Sequence, residues 1–148
     1  MTEKQLPMET IVSLIRESLS EGKSVRFSPN GVSMRPMLRQ GKDSVVLSPV
    51  PERLKKYDLP LYQRKDGKYV LHRIVRVGDT YTCLGDNQLK EEAGLKHEQM
   101  IALVTGFYRG DRYRSVNGPL YWLYCRLWYF IRRLYRFCKR ILRRLIKK

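Results

Sequence analysis

The sequence predicts a mainly β domain carrying one helix at each end. Helical spacing of apolar residues is confined to Met8–Leu19 and to the chain after Pro119. Between them lie short, strand-like apolar segments separated by Gly, Pro and Asp-Gly turn signals. No internal repeat or low-complexity segment interrupts the pattern.

Ile11, Leu14, Ile15 and Leu19 recur at helical intervals, so Met8 to Leu19 reads as a short amphipathic helix. Ser24 to Ser28 and Ser44 to Leu47 are strand-like and flank a loop containing Gly31 and Pro36. Pro49 and Pro51 mark a further loop that ends near Tyr57-Asp58. Leu59 to Arg64 and Lys68 to Val77 surround Lys65-Asp66-Gly67, whose Asp-Gly pair signals a hairpin. Read as one strand, Lys68 to Val77 places His72 on the same face as Val70 and Ile74. Thr80 to Leu84 leads into the Gly85-Asp86-Asn87 turn, and Met100 to Tyr108 supplies a last strand. The expected units are an N-terminal helix in 1–23, a β domain in 24–112 and a helical tail in 119–148.

The 148 residues suit a single small domain with an appendage. Thirty Lys/Arg against fourteen Asp/Glu give a net charge of +16, and residues 119–148 contribute ten of the basic residues and no acidic one. Cys83, Cys125 and Cys138 follow no metal-ligand or redox spacing, so neither a metal nor another cofactor is expected. Free thiols in a chain with no signal-peptide layout point to a cytoplasmic setting.

Candidate chemistry is concentrated in three short motifs. Gly31-Val32-Ser33-Met34-Arg35-Pro36 puts a serine in a loop, Leu71-His72-Arg73 supplies a histidine, and Gly85-Asp86-Asn87 supplies a carboxylate. A serine hydroxyl needs an adjacent base to become a nucleophile, and histidine serves near neutral pH. A third group on the other ring nitrogen fixes the tautomer. Gly31 frees the loop so that the Ser33 N–H can act as an oxyanion donor. Lys68 is the other candidate base, but it sits beside a turn where solvation keeps an amine protonated.

These motifs resemble those of the signal peptidase and repressor-cleavage superfamily of serine peptidases. Ser33-Met34-Arg35-Pro36 matches the family's Ser-Met-x-Pro motif, with Gly41-Lys42-Asp43 where members usually carry Gly-Asp. Histidine at 72 rather than lysine is similar to the archaeal, endoplasmic-reticulum and sporulation-type signal peptidases. The resemblance spans roughly Ser24 to Tyr108. It implies a fold of strongly bent antiparallel sheets, a catalytic set of Ser33, His72 and Asp86, and Glu92 as a second acidic residue that is the alternative or helper to Asp86 in orienting the imidazole. It also implies a loop of Gly31, Ser33, Met34 and Pro36 around the nucleophile, a peptide or preprotein substrate, and a small residue before the scissile bond. Members normally carry a transmembrane anchor ahead of the serine, whereas residues 1–30 hold no long apolar run.

After Asn117-Gly118, Pro119 can open a helix at its first position. Leu127, Ile131, Leu134, Cys138, Ile141 and Leu145 then draw an apolar stripe, with Arg132, Arg136, Arg140, Arg143 and Lys147 opposite. The charge density excludes a spanning helix of about 20 apolar residues. Trp122, Trp128 and the neighbouring tyrosines are of the type found at lipid headgroup level. The favoured reading is an interfacial helix on an anionic membrane, bound through Trp122, Trp128, Arg132, Arg136, Arg140 and Arg143. Docking on the domain itself or on a partner's groove is the second reading, and nucleic acid is the disfavoured third.

Together these expectations describe a serine endopeptidase of signal-peptidase type that cleaves a leader or signal peptide at the inner face of a membrane. The rival readings are a noncatalytic membrane-surface scaffold and a self-cleaving regulator like the repressors.

Overall fold

The computed structural model describes residues 6–146; residues 1–5 and the expected basic position Lys147 lie outside the described residues. Helix α1 spans Met8–Ser20 and begins after Pro7, whose carbonyl accepts from the Thr10 and Ile11 N–H groups. It buries Val12, Ile15 and Leu19 against the sheet. The helix forms where the spacing predicts, but Leu14 faces solvent and Val12 takes its expected place in the core.

Nine strands follow: β1 Val25–Phe27, β2 Asp43–Ser48, β3 Pro60–Gln63, β4 Tyr69–Leu71, β5 Arg73–Val77, β6 Tyr81–Leu84, β7 Glu92–Leu95, β8 Met100–Arg109 and β9 Arg112–Ser115. All the pairings are antiparallel. The larger sheet runs β1-β2-β8-β3-β4, and β9 also pairs with β8. β8 is its spine: it pairs with β2 along one edge, and with β3 and then β9 along the other. Register shifts opposite Val46/Leu47 of β2 and Leu61/Tyr62 of β3, where β8 carries the extra residues Thr105 and Ile101, interrupt these ladders. Such bulges bend a strand and increase its twist. The smaller sheet is β5-β6-β7.

Two apolar cores result. The first joins α1, the larger sheet and Met34, Met37 and Leu38 from the loop after β1. The second gathers Leu54, Tyr62, Ile74, Tyr81, Cys83, Leu95 and Met100 beside the smaller sheet. The hairpin at Asp66-Gly67 forms as its sequence predicts, with the Arg64 N–H donating to Lys68 O at 2.8 Å.

Lys68 to Val77 is not a continuous strand: β4 ends at Leu71, β5 begins at Arg73, and the two belong to different sheets. His72 occupies the break. The short β7 and β9 carry too little apolar alternation to be recognised from sequence.

Helix α2 spans Pro119–Ile146, about 42 Å at 1.5 Å per residue. No described helix is long and apolar enough to cross a membrane.

Candidate active site

The loop from Ser28 to Lys42 is fixed by what it buries. Met34, Met37 and Leu38 plug the first core, leaving Ser33 at its edge. Gly31 sits at φ +100°, a conformation that L side chains rarely adopt, and open space surrounds it; its freedom serves the turn rather than close packing. Pro36 follows a cis peptide bond. At the far end, Asp43 accepts from the Arg39 N–H at 2.8 Å, from the Arg39 guanidinium, and from the Gly110 N–H at 3.0 Å. The bonds from Arg39 lead in holding the Asp43 carboxyl down at about 2. The acid of Gly41-Lys42-Asp43 thus clamps the loop to the β8–β9 turn.

The Gly85-Asp86-Asn87 turn grips the other side of this loop. The Asn87 N–H donates to Ser33 O at 2.8 Å, and its amide nitrogen donates to Val32 O at 3.2 Å. Gly85 is where the serine loop, the turn and the histidine converge. A Cβ there would meet Ser33 O at 2.8 Å and His72 Nε2 at 3.0 Å, so only glycine fits without displacement.

His72 is buried, and its two nitrogens have different surroundings. Nε2 faces Gly85 and the Ser33 backbone. Nδ1 lies 3.3 Å from Tyr62 Oη and 3.2 Å from Glu92 Oε1. Tyr62 donates its hydroxyl proton to Glu92 Oε2 at 3.0 Å, and Arg64 holds both Glu92 oxygens through its Nε and Nη2. Oxygens gathered on Nδ1 favour the tautomer with its proton there, leaving Nε2 free to accept one. Burial lowers the His72 pKa below its ordinary value. The nearby Glu92 charge opposes that shift, and Arg64 reinforces it. Burial alone would raise Glu92, but Arg64, Tyr62 and His72 reverse the balance and hold its carboxyl below the usual range. Burial is the first cause that keeps the Tyr62 phenol protonated, its pKa raised.

Ser33 and His72 line one cleft of about 480 Å³, together with Met8 and Ile11 of α1 and Tyr69 of β4. No direct hydrogen bond joins the Ser33 and His72 side chains in this structure. The Ser33 N–H donates to no protein acceptor among the described residues. Lys68, the competing base, is exposed on the hairpin and does not line the cleft.

Asp86 is not the group on the imidazole. Its carboxylate accepts from Arg73 Nε at 2.9 Å and Nη2 at 2.8 Å, and from Tyr124 Oη at 2.9 Å. Arg73 is buried and also reaches Tyr57 O, Tyr121 Oη, Cys125 Sγ and Met37 Sδ. Its burial opposes the charge, but Asp86 leads the interactions that raise its pKa well above the ordinary guanidinium value. Glu92, expected as the secondary acid, takes the position that Asp86 was expected to hold. Both the start of β5 and the start of β7 lie at one end of the smaller sheet, where Arg73 pairs with Leu84 and Cys83 pairs with Glu92.

Part of α2, expected on a membrane, instead docks on the domain. Trp128 Nε1 donates to Asp86 O at 2.8 Å, Arg132 donates to Gln88 O at 3.0 Å, and Arg136 pairs with Glu91 at 2.7 Å. These three residues face the domain, because the polar groups of the 86–91 segment turn toward α2. Trp122 is exposed and carries Arg126 against its ring at 4.0 Å. Arg140 and Arg143 are exposed too, and both line a basic groove between α2 and Lys90.

Tyr62, Arg64 and Arg73 carry no role in the sequence-based expectations, and Tyr124 stands there only among the tyrosines of headgroup type. The Tyr62/Arg64 alternation on one strand face was the available signal; nothing marked Arg73 beyond its adjacency to His72. Among the described residues no group of three His, Cys, Asp or Glu is placed to hold a metal ion. Comparison with protein-family models, curated proteins and solved structures returns no match to this chain.

Proposed function

We propose that the protein is a serine endopeptidase in which Ser33 is the nucleophile and His72 the general base. The observation that carries this reading is the convergence at Gly85. There a Cβ would meet both the Ser33 carbonyl oxygen, at 2.8 Å, and His72 Nε2, at 3.0 Å, and Ser33 and His72 line one cleft. His72 Nε2 takes the Ser33 Oγ proton as Oγ attacks a peptide carbonyl. The resulting imidazolium is stabilised by Glu92 on the Nδ1 side. The Ser33 N–H, which meets no acceptor among the described residues, donates to the oxyanion. His72 returns the proton to the leaving amine, and water, deprotonated by the same nitrogen, releases the acyl group from Ser33. In the proposed mechanism the Ser33–His72 hydrogen bond forms when substrate enters.

A leader or signal peptide with a small residue before the cut is the substrate class that the motif resemblance supports. We place the enzyme at a membrane surface on the strength of α2, which leaves an apolar face exposed beside basic residues.

The test is cleavage of a mixed peptide library, read by mass spectrometry, by the wild-type chain and by Ser33→Ala. Cuts that disappear in Ser33→Ala are the expected result. Their absence in a folded wild-type protein overturns the peptidase and leaves a noncatalytic surface protein.

A further inference from the structure

Helix α2 has two faces with different occupants. Its inner face holds the segment that shapes the candidate site. Tyr124 and Trp128 bind Asp86, Arg132 binds Gln88, and Arg136 binds Glu91. The same segment carries Gly85 against His72 and donates the Asn87 N–H to Ser33 O. Its outer face is apolar. Leu120, Leu123, Leu127, Phe130, Leu134, Phe137, Ile141 and Leu145 recur at intervals of three and four and form one stripe. Each is at least 40% exposed, with Ile141 the least. Arg126, Arg133, Arg140 and Arg144 lie along one flank of that stripe, all exposed.

The charge pattern selects the occupant. Residues 119–148 contain no acidic side chain, so a second copy of α2 laid on this stripe would bring like charges together. Nucleic acid would use the arginines but leave the stripe in water. An anionic phospholipid bilayer satisfies both, with the stripe at the acyl boundary and the flanking guanidinium groups among the phosphates.

Resting on the peptidase reading for its consequence, we infer that α2 seats on an anionic bilayer and that this seating tightens the 85–91 segment, so that the site is fully ordered only at the surface. A helix held on both faces loses the freedom to bend away from the domain. The polar contacts of Tyr124, Trp128 and Arg132 then persist, and with them the position of Gly85 between the serine loop and His72.

Two measurements that need no catalysis test this. The first is sedimentation of the full chain with phosphatidylcholine vesicles, with and without phosphatidylglycerol. Sedimentation only with the anionic vesicles is expected. Arg133→Gln/Arg140→Gln should weaken it by about 30-fold. Leu127→Ser/Leu134→Ser/Ile141→Ser should abolish it while leaving the circular dichroism spectrum and basal peptide cleavage unchanged. Vesicle binding that survives the stripe variant, or binding of DNA or RNA that exceeds binding to vesicles, overturns the inference. The second is amide hydrogen exchange at 85–91 in Ser33→Ala. Greater protection on anionic vesicles supports the coupling, and unchanged protection refutes it. Increased protection without any Ser33-dependent cleavage in the wild type would sink the peptidase and leave the surface-coupled loop standing. Cleavage with unchanged protection would do the reverse.

Discussion

Glu92 Oε1 lies 3.2 Å from His72 Nδ1, across the end of a sheet to which Glu92 contributes the third strand. Asp86, only fourteen positions from His72, is spent on Arg73 instead. Each acid therefore has its own partner, and substitution separates their roles.

Glu92→Gln keeps the shape and removes the charge that would stabilise the imidazolium in the proposed mechanism. Turnover of a cleaved peptide should fall by about 10²–10⁴-fold while the melting temperature changes little. Wild-type turnover in Glu92→Gln would remove Glu92 from the mechanism.

Asp86→Asn leaves the buried Arg73 guanidinium without a counter-charge. The expected loss is about 3–5 kcal/mol of stability, seen as a lower urea midpoint. A variant as stable as wild type would show that Arg73 is compensated elsewhere.

Gly85→Ala puts a methyl group against both the Ser33 carbonyl oxygen and His72 Nε2. Because both neighbours are held by the fold, activity should drop by about 100-fold or more with far-UV circular dichroism preserved. An active alanine variant would mean that the two elements move apart freely.

The pH profile of turnover should reflect a lowered His72. Its neutral form, which would accept the Ser33 proton in the proposed mechanism, persists below the ordinary histidine value, so the acid limb of kcat/KM should lie under pH 6.5. In Glu92→Gln the limb should move further toward acid, because the charge that favours the imidazolium is gone. A limb at or above 6.5 in the wild type contradicts the burial argument.

Asp43 gives a separate, structural pH dependence. Its folded pKa of about 2 lies below the unfolded 3.8, so its contribution is present above 3.8 and is lost as pH falls through 2. The stability gap between wild type and Asp43→Asn should therefore narrow over that window. A gap independent of pH would show that the bonds to Arg39 and Gly110 do not depend on charge.

Much of this arrangement could be read from the sequence because it is encoded locally. Ile15 and Leu19 mark α1 by spacing, Asp66-Gly67 marks its hairpin, and Pro119 marks the start of α2. Ser33 and His72 stand out because few residue types can perform their chemistry. Glu92 and Asp86 exchanged places because side-chain partners depend on how two sheets meet, which no local pattern records. The break at His72 was hidden for a related reason: Leu71 and Arg73 both favour extended backbone, and only the tertiary pairing assigns them to different sheets. Trp128 was misplaced because indole suits a lipid headgroup region and a backbone carbonyl equally well.

That single-residue break has a mechanical consequence. His72 is the seam between two sheets and belongs to neither, with Leu71 fixed in one and Arg73 in the other. A rotation of either sheet about the seam is converted directly into a tilt of the imidazole. The angle between the sheets is thus the setting that aims the ring, and any force that stiffens that angle sharpens the aim.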